Sequence, residues 1–278
     1  MSISALILTL NEERNLSACL ASLAWCDDVV VLDSFSTDRT VEIAQAAGAR
    51  VVQRRFDDER SQRSFGLQGV IYRYPWLYLP DADEITTPEL RDEMLAAVAA
   101  PCQAAVAFRI RPKTIFMGRW LRYSGLYPTW QLRLCRPERV RFEREINLRP
   151  VIEGTAGMLQ GHYLHYTFNN GLSAWYEKHN RYSSVEAQEA LRSLRTGGLR
   201  WRDLLPWRDS VRRRAMLKEL SFRLPCRPAA RFAYMYVLKG GFLDGGPGYV
   251  YCRLLAAYEY MIVVKMAEIR RREQGLPV

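Results

Sequence analysis

Two aspartates one residue apart, Asp81 and Asp83, follow the apolar stretch Trp76-Leu-Tyr-Leu79 in a chain of 278 residues. Paired carboxylates just past a buried strand can hold a hard cation that also bridges a diphosphate. Mg²⁺ and Mn²⁺ suit one or two protein carboxylates together with phosphate oxygens. An acidic turn after a strand is common, so this pair alone decides little. Two further polar clusters sharpen it: Thr9, Asn11 and Glu12 close the apolar run from Ile3, and Asp33-Ser34 close the run from Asp28. A carboxylate at the mouth of a buried strand can accept hydrogen bonds from a base or ribose. A turn or helix-entry aspartate is the plainer reading of Asp33. Neither GxGxxG nor a GxxxxGK motif occurs, so a dinucleotide fold and a P-loop are unsupported.

These clusters meet only if the elements behind them line up. Ile3 to Thr9 and Asp28 to Asp33 read as buried strands, Val51-Val52 begins a third, and Trp76 to Leu79 makes a fourth. Asn15 to Leu23 reads as a helix with Leu16, Cys19, Leu20 and Leu23 on one face. Arg39 to Ala47 reads as another, with Ser36-Thr-Asp38 as its cap and Gly48 as its stop. Continuous Val/Ile/Leu strands between amphipathic helices indicate a mainly parallel sheet covered on both faces. Ligands then collect beyond the carboxyl ends of the strands. Shorter β-like runs follow at Ala105 to Ile110, Gln131 to Leu134 and Leu159 to His165. From Leu172 the pattern turns helical as far as Arg195, and Gly197-Gly198 interrupts it. A further helical stretch runs from Asp209 to Phe222. Beyond Pro225 and Pro228 comes the turn Lys239 to Gly248, and a helix from Tyr249 to Arg272 closes the chain.

The net charge of +10 is unevenly spread: residues 195–278 hold 17 Lys and Arg against 7 Asp and Glu. Such a basic segment suits an anionic partner or a solvated face. Arg212-Arg213-Arg214 and Arg270-Arg271-Arg272 can grip anionic lipid head groups. The closing helix is interrupted by Arg253, Glu259 and Lys265. It is therefore a poor membrane span, and reads either as an interfacial helix or as one packed on its own domain. The six cysteines are scattered without a CxxC, which fits a reducing cytosol. The apolar start lacks a basic n-region, so a secretory signal is not expected.

Taken in order, Thr9-Leu-Asn-Glu-Glu13, Val31-Leu-Asp-Ser-Phe-Ser-Thr-Asp38-Arg-Thr40 and Leu79-Pro-Asp-Ala-Asp-Glu84 resemble the signature of family-2 glycosyltransferases of GT-A fold. Tyr127-Pro-Thr-Trp-Gln-Leu-Arg133, His165-Tyr166, His179-Asn-Arg-Tyr182 and Lys239-Gly-Gly-Phe-Leu-Asp-Gly245 are similar to its bacterial lipopolysaccharide-core and exopolysaccharide branch. The mixed β-like stretch from about 104 to 166 reads as the acceptor-side half of the same domain; the resemblance implies a GT-A catalytic domain over 1–196, followed by a basic helical region over 197–278 that can associate with a membrane. It implies that Thr9, Asn11, Glu12, Ser34 and Ala82 line the nucleotide and that Asp33 holds the base. Arg63 would contact base or phosphate, and Asp81 the donor ribose or sugar. Asp83 would bind Mg²⁺ or Mn²⁺ with His165 as a further ligand, a core histidine being the alternative. Inverting transfer needs a carboxylate base; the matching place holds Arg144-Glu145, so Glu145 is expected in that role, with Glu143 behind it.

The expected enzyme takes a nucleotide-sugar donor, UDP favoured, and a lipid-linked or lipopolysaccharide or exopolysaccharide glycan acceptor. Its expected place is the cytoplasm, peripheral on the inner face of the membrane, without nucleic acid. A polyprenyl-phosphate glycosyltransferase is the alternative within the class, and needs a stronger anchor than Tyr249 to Lys265. A nucleic-acid-binding protein with an inactive α/β body is the alternative outside it. Converging acidic residues and the lack of a recognisable module speak against that.

Overall fold

The computed structural model describes residues 2–100, 104–124, 127–143, 148–196 and 226–278. Contacts divide the chain into two compact units: Met1–Trp120 with Leu126–Asn170, and Leu121–Gly125 with Gly171–Val278.

The first unit is α/β. Its strands are β1 (Ser4–Thr9), β2 (Val29–Asp33), β3 (Arg50–Gln53), β4 (Leu77–Tyr78), β5 (Glu84–Thr86), β6 (Ala105–Phe116), β7 (Arg119–Trp120), β8 (Gln131–Cys135), β9 (Val140–Glu143), β10 (Arg149–Ile152) and β11 (Thr155–His165). Its helices are α1 (Leu16–Ser22), α2 (Thr40–Ala46), α3 (Glu59–Gln68) and α4 (Pro88–Ala99). The main sheet runs β3-β2-β1-β4-β8-β6-β11-β5, with β7 on β6 and the pair β9–β10 apart. Strands β3 to β4 are mutually parallel, as are β6 and β11; β8 and β5 run antiparallel to their neighbours.

Side chains alternate across each strand, so β1 serves two cores. Ile3, Ala5 and Ile7 pack with Leu16 and Leu20 of α1 and with Leu90 and Met94 of α4. Leu6 packs with Val30, Leu32, Leu77 and Leu67 of α3. Burial on both faces is why these strands read as unbroken apolar runs. Strand β4 is shorter than its apolar run, yet a parallel bridge between Leu8 and Asp81 carries the alignment to the first aspartate. Asp58 caps α3 through Ser61 N (2.9 Å), and Thr87 caps α4 ahead of Pro88.

The second unit is helical. Its elements are α5 (Gly171–Thr196), α6 (Arg227–Ala233) continuing through a π turn at Tyr234–Leu238, a 3-10 turn at Gly241–Asp244, and α7 (Gly245–Glu273). Ala187, Ala190 and Leu191 of α5 meet Ile262 and Met266 of α7. Lys265 Nζ donates to Asn180 Oδ1 (2.7 Å) and Ser184 Oγ (2.8 Å) on α5, and Glu259 pairs with Arg227 at 2.6 Å. Two of the charges that interrupt the closing helix therefore serve packing inside this unit, as the reading of a helix packed on its own domain expects. By contact, residues 171–196 group with these helices; a catalytic division at 196/197 stays a proposal. Among the described residues no helix is long and apolar enough to cross a membrane.

Candidate active site

The loop after β1 and the loop after β2 are laced together at the carboxyl edge of the sheet. Asn11 bends the chain with φ 58°, and Phe35 does so with φ 60°. Asn tolerates that region because its amide bonds locally, whereas a phenylalanine there carries strain. Three successive backbone N–H groups, from Asn11, Glu12 and Glu13, donate to Ser36 Oγ (2.8 Å), Thr40 Oγ1 (2.8 Å) and Asp38 Oδ2 (3.1 Å). In return Asn11 Oδ1 accepts from Thr37 N at 2.8 Å. The dense short polar side chains of Ser36 to Thr40 thus satisfy a loop that has no ladder partners. Part of the expected cap is met within this lacing, as Asp38 Oδ1 accepts from Thr40 N at 3.0 Å.

Asp33 is buried beneath this lacing. It accepts from Thr9 Oγ1 (2.9 Å), Ser36 N (2.9 Å), Ser36 Oγ and Gln53 Nε2 (3.2 Å). Burial alone raises its pKa, but the Ser36, Gln53 and Thr9 bonds outweigh that and hold the carboxyl below its usual range. Both oxygens are thus taken up by the protein, so in this conformation Asp33 organises the floor of the site. Thr9 is buried with it, while Asn11 and Glu12 remain accessible and Ser34 Oγ accepts from Gln62.

The third cluster forms an ionic core. Asp81 accepts from Arg63 Nη2 at 3.1 Å and from Arg133 Nη2 at 2.6 Å. Arg133 also pairs with the fully buried Glu84, whose second oxygen accepts from Asp81 N at 3.0 Å. Burial pushes the Glu84 carboxyl up to about 7, with Asp81 and Asp83 adding to the rise and Arg133 opposing it. Asp81 feels the same burial, yet two arginines hold it well below the carboxylate range. The negative charge therefore settles first on Asp81.

Beside this core, His165 Nε2 lies 3.3 Å from Asp83 Oδ2. The sheet creates that pairing: β5 runs antiparallel to β11 and sets Glu84 opposite His165. Tyr166 N donates to Asp83 O at 2.9 Å and fixes the turn. Burial lowers the His165 pKa, but the bond to Asp83 and the nearby carboxylates raise it overall. The donor set suits a divalent cation, since neighbouring ligands of an octahedral ion at about 2.1 Å stand roughly 3 Å apart. Among the described residues no third His, Cys, Asp or Glu completes a cluster; a cation here would take its remaining ligands from diphosphate and water.

Of the expected residues, Thr9, Asn11, Glu12, Asp33 and Ser34 come together on one side. Arg63, Asp81, Asp83 and His165 come together on the other, while Ala82 is buried in the core. Glu143 ends β9, where Arg141 Nη1 donates to it at 2.9 Å. Arg144 and Glu145 lie outside the described residues, as do Asp209 to Phe222 and Arg212 to Arg214. Arg133 and Glu84 stand inside the motifs without an expected role of their own. The signal was available, because an arginine inside the apolar run Gln131 to Leu134 must be paired if buried.

The model for glycosyl transferase family 2 matches residues 4–166. A lipopolysaccharide core biosynthesis glycosyltransferase of Rhizobium meliloti is 29% identical over 201 residues, 69% of this chain and 73% of that protein. An uncharacterized glycosyltransferase of Rickettsia typhi is 24% identical across 99% of this chain and 89% of its own length. Among solved structures, glucosyl-3-phosphoglycerate synthase from Mycobacterium tuberculosis, crystallised with Mn²⁺, UDP and phosphoglyceric acid, is 17% identical. That match has a TM-score of 0.44 and covers 60% of this chain and 71% of that one. The matched residues take in nearly all of the α/β unit, and the family is one of sugar-transferring enzymes. The chain belongs to glycosyl transferase family 2.

Proposed function

We propose that this glycosyltransferase moves a sugar from a nucleoside-diphosphate donor, UDP favoured, with inversion, onto a glycan of the lipopolysaccharide-core or exopolysaccharide kind. The observation that carries the donor side is the 3.3 Å approach of His165 to Asp83, next to Asp81 held by Arg63 and Arg133. The acceptor class is supported by the likeness to the Rhizobium meliloti core transferase. A lipid-linked acceptor calls for peripheral contact with the inner membrane face.

A divalent cation held by Asp83 and His165 would neutralise the leaving diphosphate. The chain's own residues do the rest. The lacing of the loops after β1 and β2 presents the exposed Asn11 and the half-buried Glu12 toward the nucleotide. Arg63, largely buried, orients Asp81 toward the donor sugar and adds positive charge where phosphate lies. Arg133 keeps Asp81 ionised and in place. A carboxylate, assigned to Glu145 on the family resemblance, takes the acceptor hydroxyl proton as the new bond forms.

The test is a thermal-shift screen of UDP- and GDP-sugars with and without Mn²⁺, in which a ligand at a hundredfold its Kd adds about 2.7 kcal/mol of stability. A Mn²⁺-dependent shift with a UDP-sugar is expected, and Asp83→Asn and His165→Ala should abolish its metal dependence. Glu145→Gln should keep the shift and lose turnover. Equal shifts with and without metal would remove the cation role. Turnover surviving in Glu145→Gln would remove that base.

A further inference from the structure

The motif Lys239-Gly-Gly-Phe-Leu-Asp-Gly245 belongs to the helical unit, where it builds an elbow. Asp244 is buried and accepts from the backbone N–H groups of Arg122 (3.1 Å), Tyr123 (2.9 Å) and Ser124 (2.8 Å), and from Ser124 Oγ at 2.6 Å. Gly240 turns the chain at φ 76°. Gly241 and Gly248 stand where a Cβ would strike backbone, 2.7 Å from Met235 O and 2.3 Å from Gly241 O respectively. Phe232, Tyr236, Phe242 and Tyr249 form a ring lattice with centroids 5.1 to 6.3 Å apart.

What this scaffold holds outward is apolar. Leu238 is 77% exposed, Val237 58% and Phe242 52%, and Tyr234 and Tyr249 are each nearly half exposed. Basic groups border it: Lys239 Nζ lies 5.9 Å from the Tyr234 ring, and Arg253 lies 5.8 Å from the Phe232 ring. Between residues 226 and 258 the sole acidic residue is Asp244, whose carboxylate is consumed by the segment it pins. Among its own described residues the elbow therefore offers apolar and aromatic tips, a cationic rim and no exposed carboxylate. A protein partner of ordinary composition gains nothing from that lack of acid. An anionic bilayer does, because tyrosines and aliphatic tips settle at the interface while cations meet head groups.

We infer that the elbow from Tyr234 to Tyr249 is the surface by which this enzyme docks on an anionic phospholipid bilayer. The inference rests on the lipid-linked acceptor reading, and relocates the contact from the closing helix to the elbow. It accounts for the motif: glycines for close approach, Asp244 as the pin, Phe242 as a tip and Lys239 as part of the rim.

The test is co-sedimentation of the full chain with vesicles of phosphatidylcholine alone or mixed with phosphatidylglycerol. Binding to the mixed vesicles, weakened by added salt, is expected. Leu238→Asp and Phe242→Ser should each weaken it about tenfold, given the transfer free energy of one buried apolar side chain. Ile71→Asp, a change at a side chain 84% exposed in the other unit, should leave it unchanged. Circular dichroism melting confirms that the variants fold. Failure of the wild-type chain to sediment, or sedimentation unaltered in both elbow variants, overturns the assignment. Self-association abolished by Leu238→Asp without vesicle binding overturns it in favour of a second copy. The donor-binding screen is independent of these outcomes, so loss of the membrane site would leave the transferase reading standing.

Discussion

Arg133 bears more of the site than any residue singled out for chemistry. Its guanidinium is the shared partner of Asp81 and Glu84, and removing it leaves the buried Glu84 without its cation while Asp81 keeps Arg63. Arg133→Met should therefore cost about 3 kcal/mol in urea unfolding, and adding Glu84→Gln should restore part of that loss. Asp33 gives a pH signature. Its folded-state pKa is depressed, so its contribution is present above the ordinary aspartate value and lost as pH falls through the folded one. In Asp33→Asn the fall of stability between about pH 5 and pH 2 should be shallower than in the wild type, as read from denaturant midpoints. At this scale the sequence disclosed the acids well, since strand ends announce them. The Ser36, Asp38 and Thr40 lacing was hidden because it depends on which loops become neighbours, whereas of the counter-charges Arg63 was expected at the donor and Arg133 was signalled only by its place between Leu132 and Leu134. That Asp33 spends its bonds internally was equally invisible, as a strand-end aspartate looks alike whether it faces ligand or loop.

The elements were legible where burial imposes a pattern. Apolar runs located β1 and β2, and the amphipathic stretches located α1, α2, α5 and α7 to within a few residues. Strand β6 was foreseen only to Ile110 and extends to Phe116, because Arg111 and Lys113 break the apolar run while the backbone ladder with β11 continues. The antiparallel strand β5 could not be seen, being three residues long and dependent on β11 for its ladder. That strand nevertheless brings His165 to Asp83. Close approach between elements yields a further prediction. A Cβ at Gly248, in the first turn of α7, would lie 2.3 Å from Gly241 O and 2.6 Å from Asp244 Cβ. Neither neighbour is the free end of a flexible chain. Gly248→Ala should cost about 1–3 kcal/mol by overpacking, measured by thermal unfolding, whereas the open Gly246 should accept alanine with little effect.

For the whole molecule, the family match ends at residue 166 and the body unit at Asn170. The chain does not divide cleanly there. Leu121–Gly125, which lies inside the body's sequence, belongs by contact to the helical unit. Asp244→Ala should strand three backbone N–H groups and cost about 2–3 kcal/mol, with the loss seen in thermal unfolding. Such a threaded segment restricts how this architecture can be rearranged by recombination. A crossover after Asn170 that imports another protein's helices severs Asp244 from the segment it was matched to, even though the donor half is untouched. A viable chimera must exchange Leu121–Gly125 together with everything from Gly171 onward, so the two blocks are one unit of inheritance despite the 45 residues of body sequence, Leu126–Asn170, that separate them.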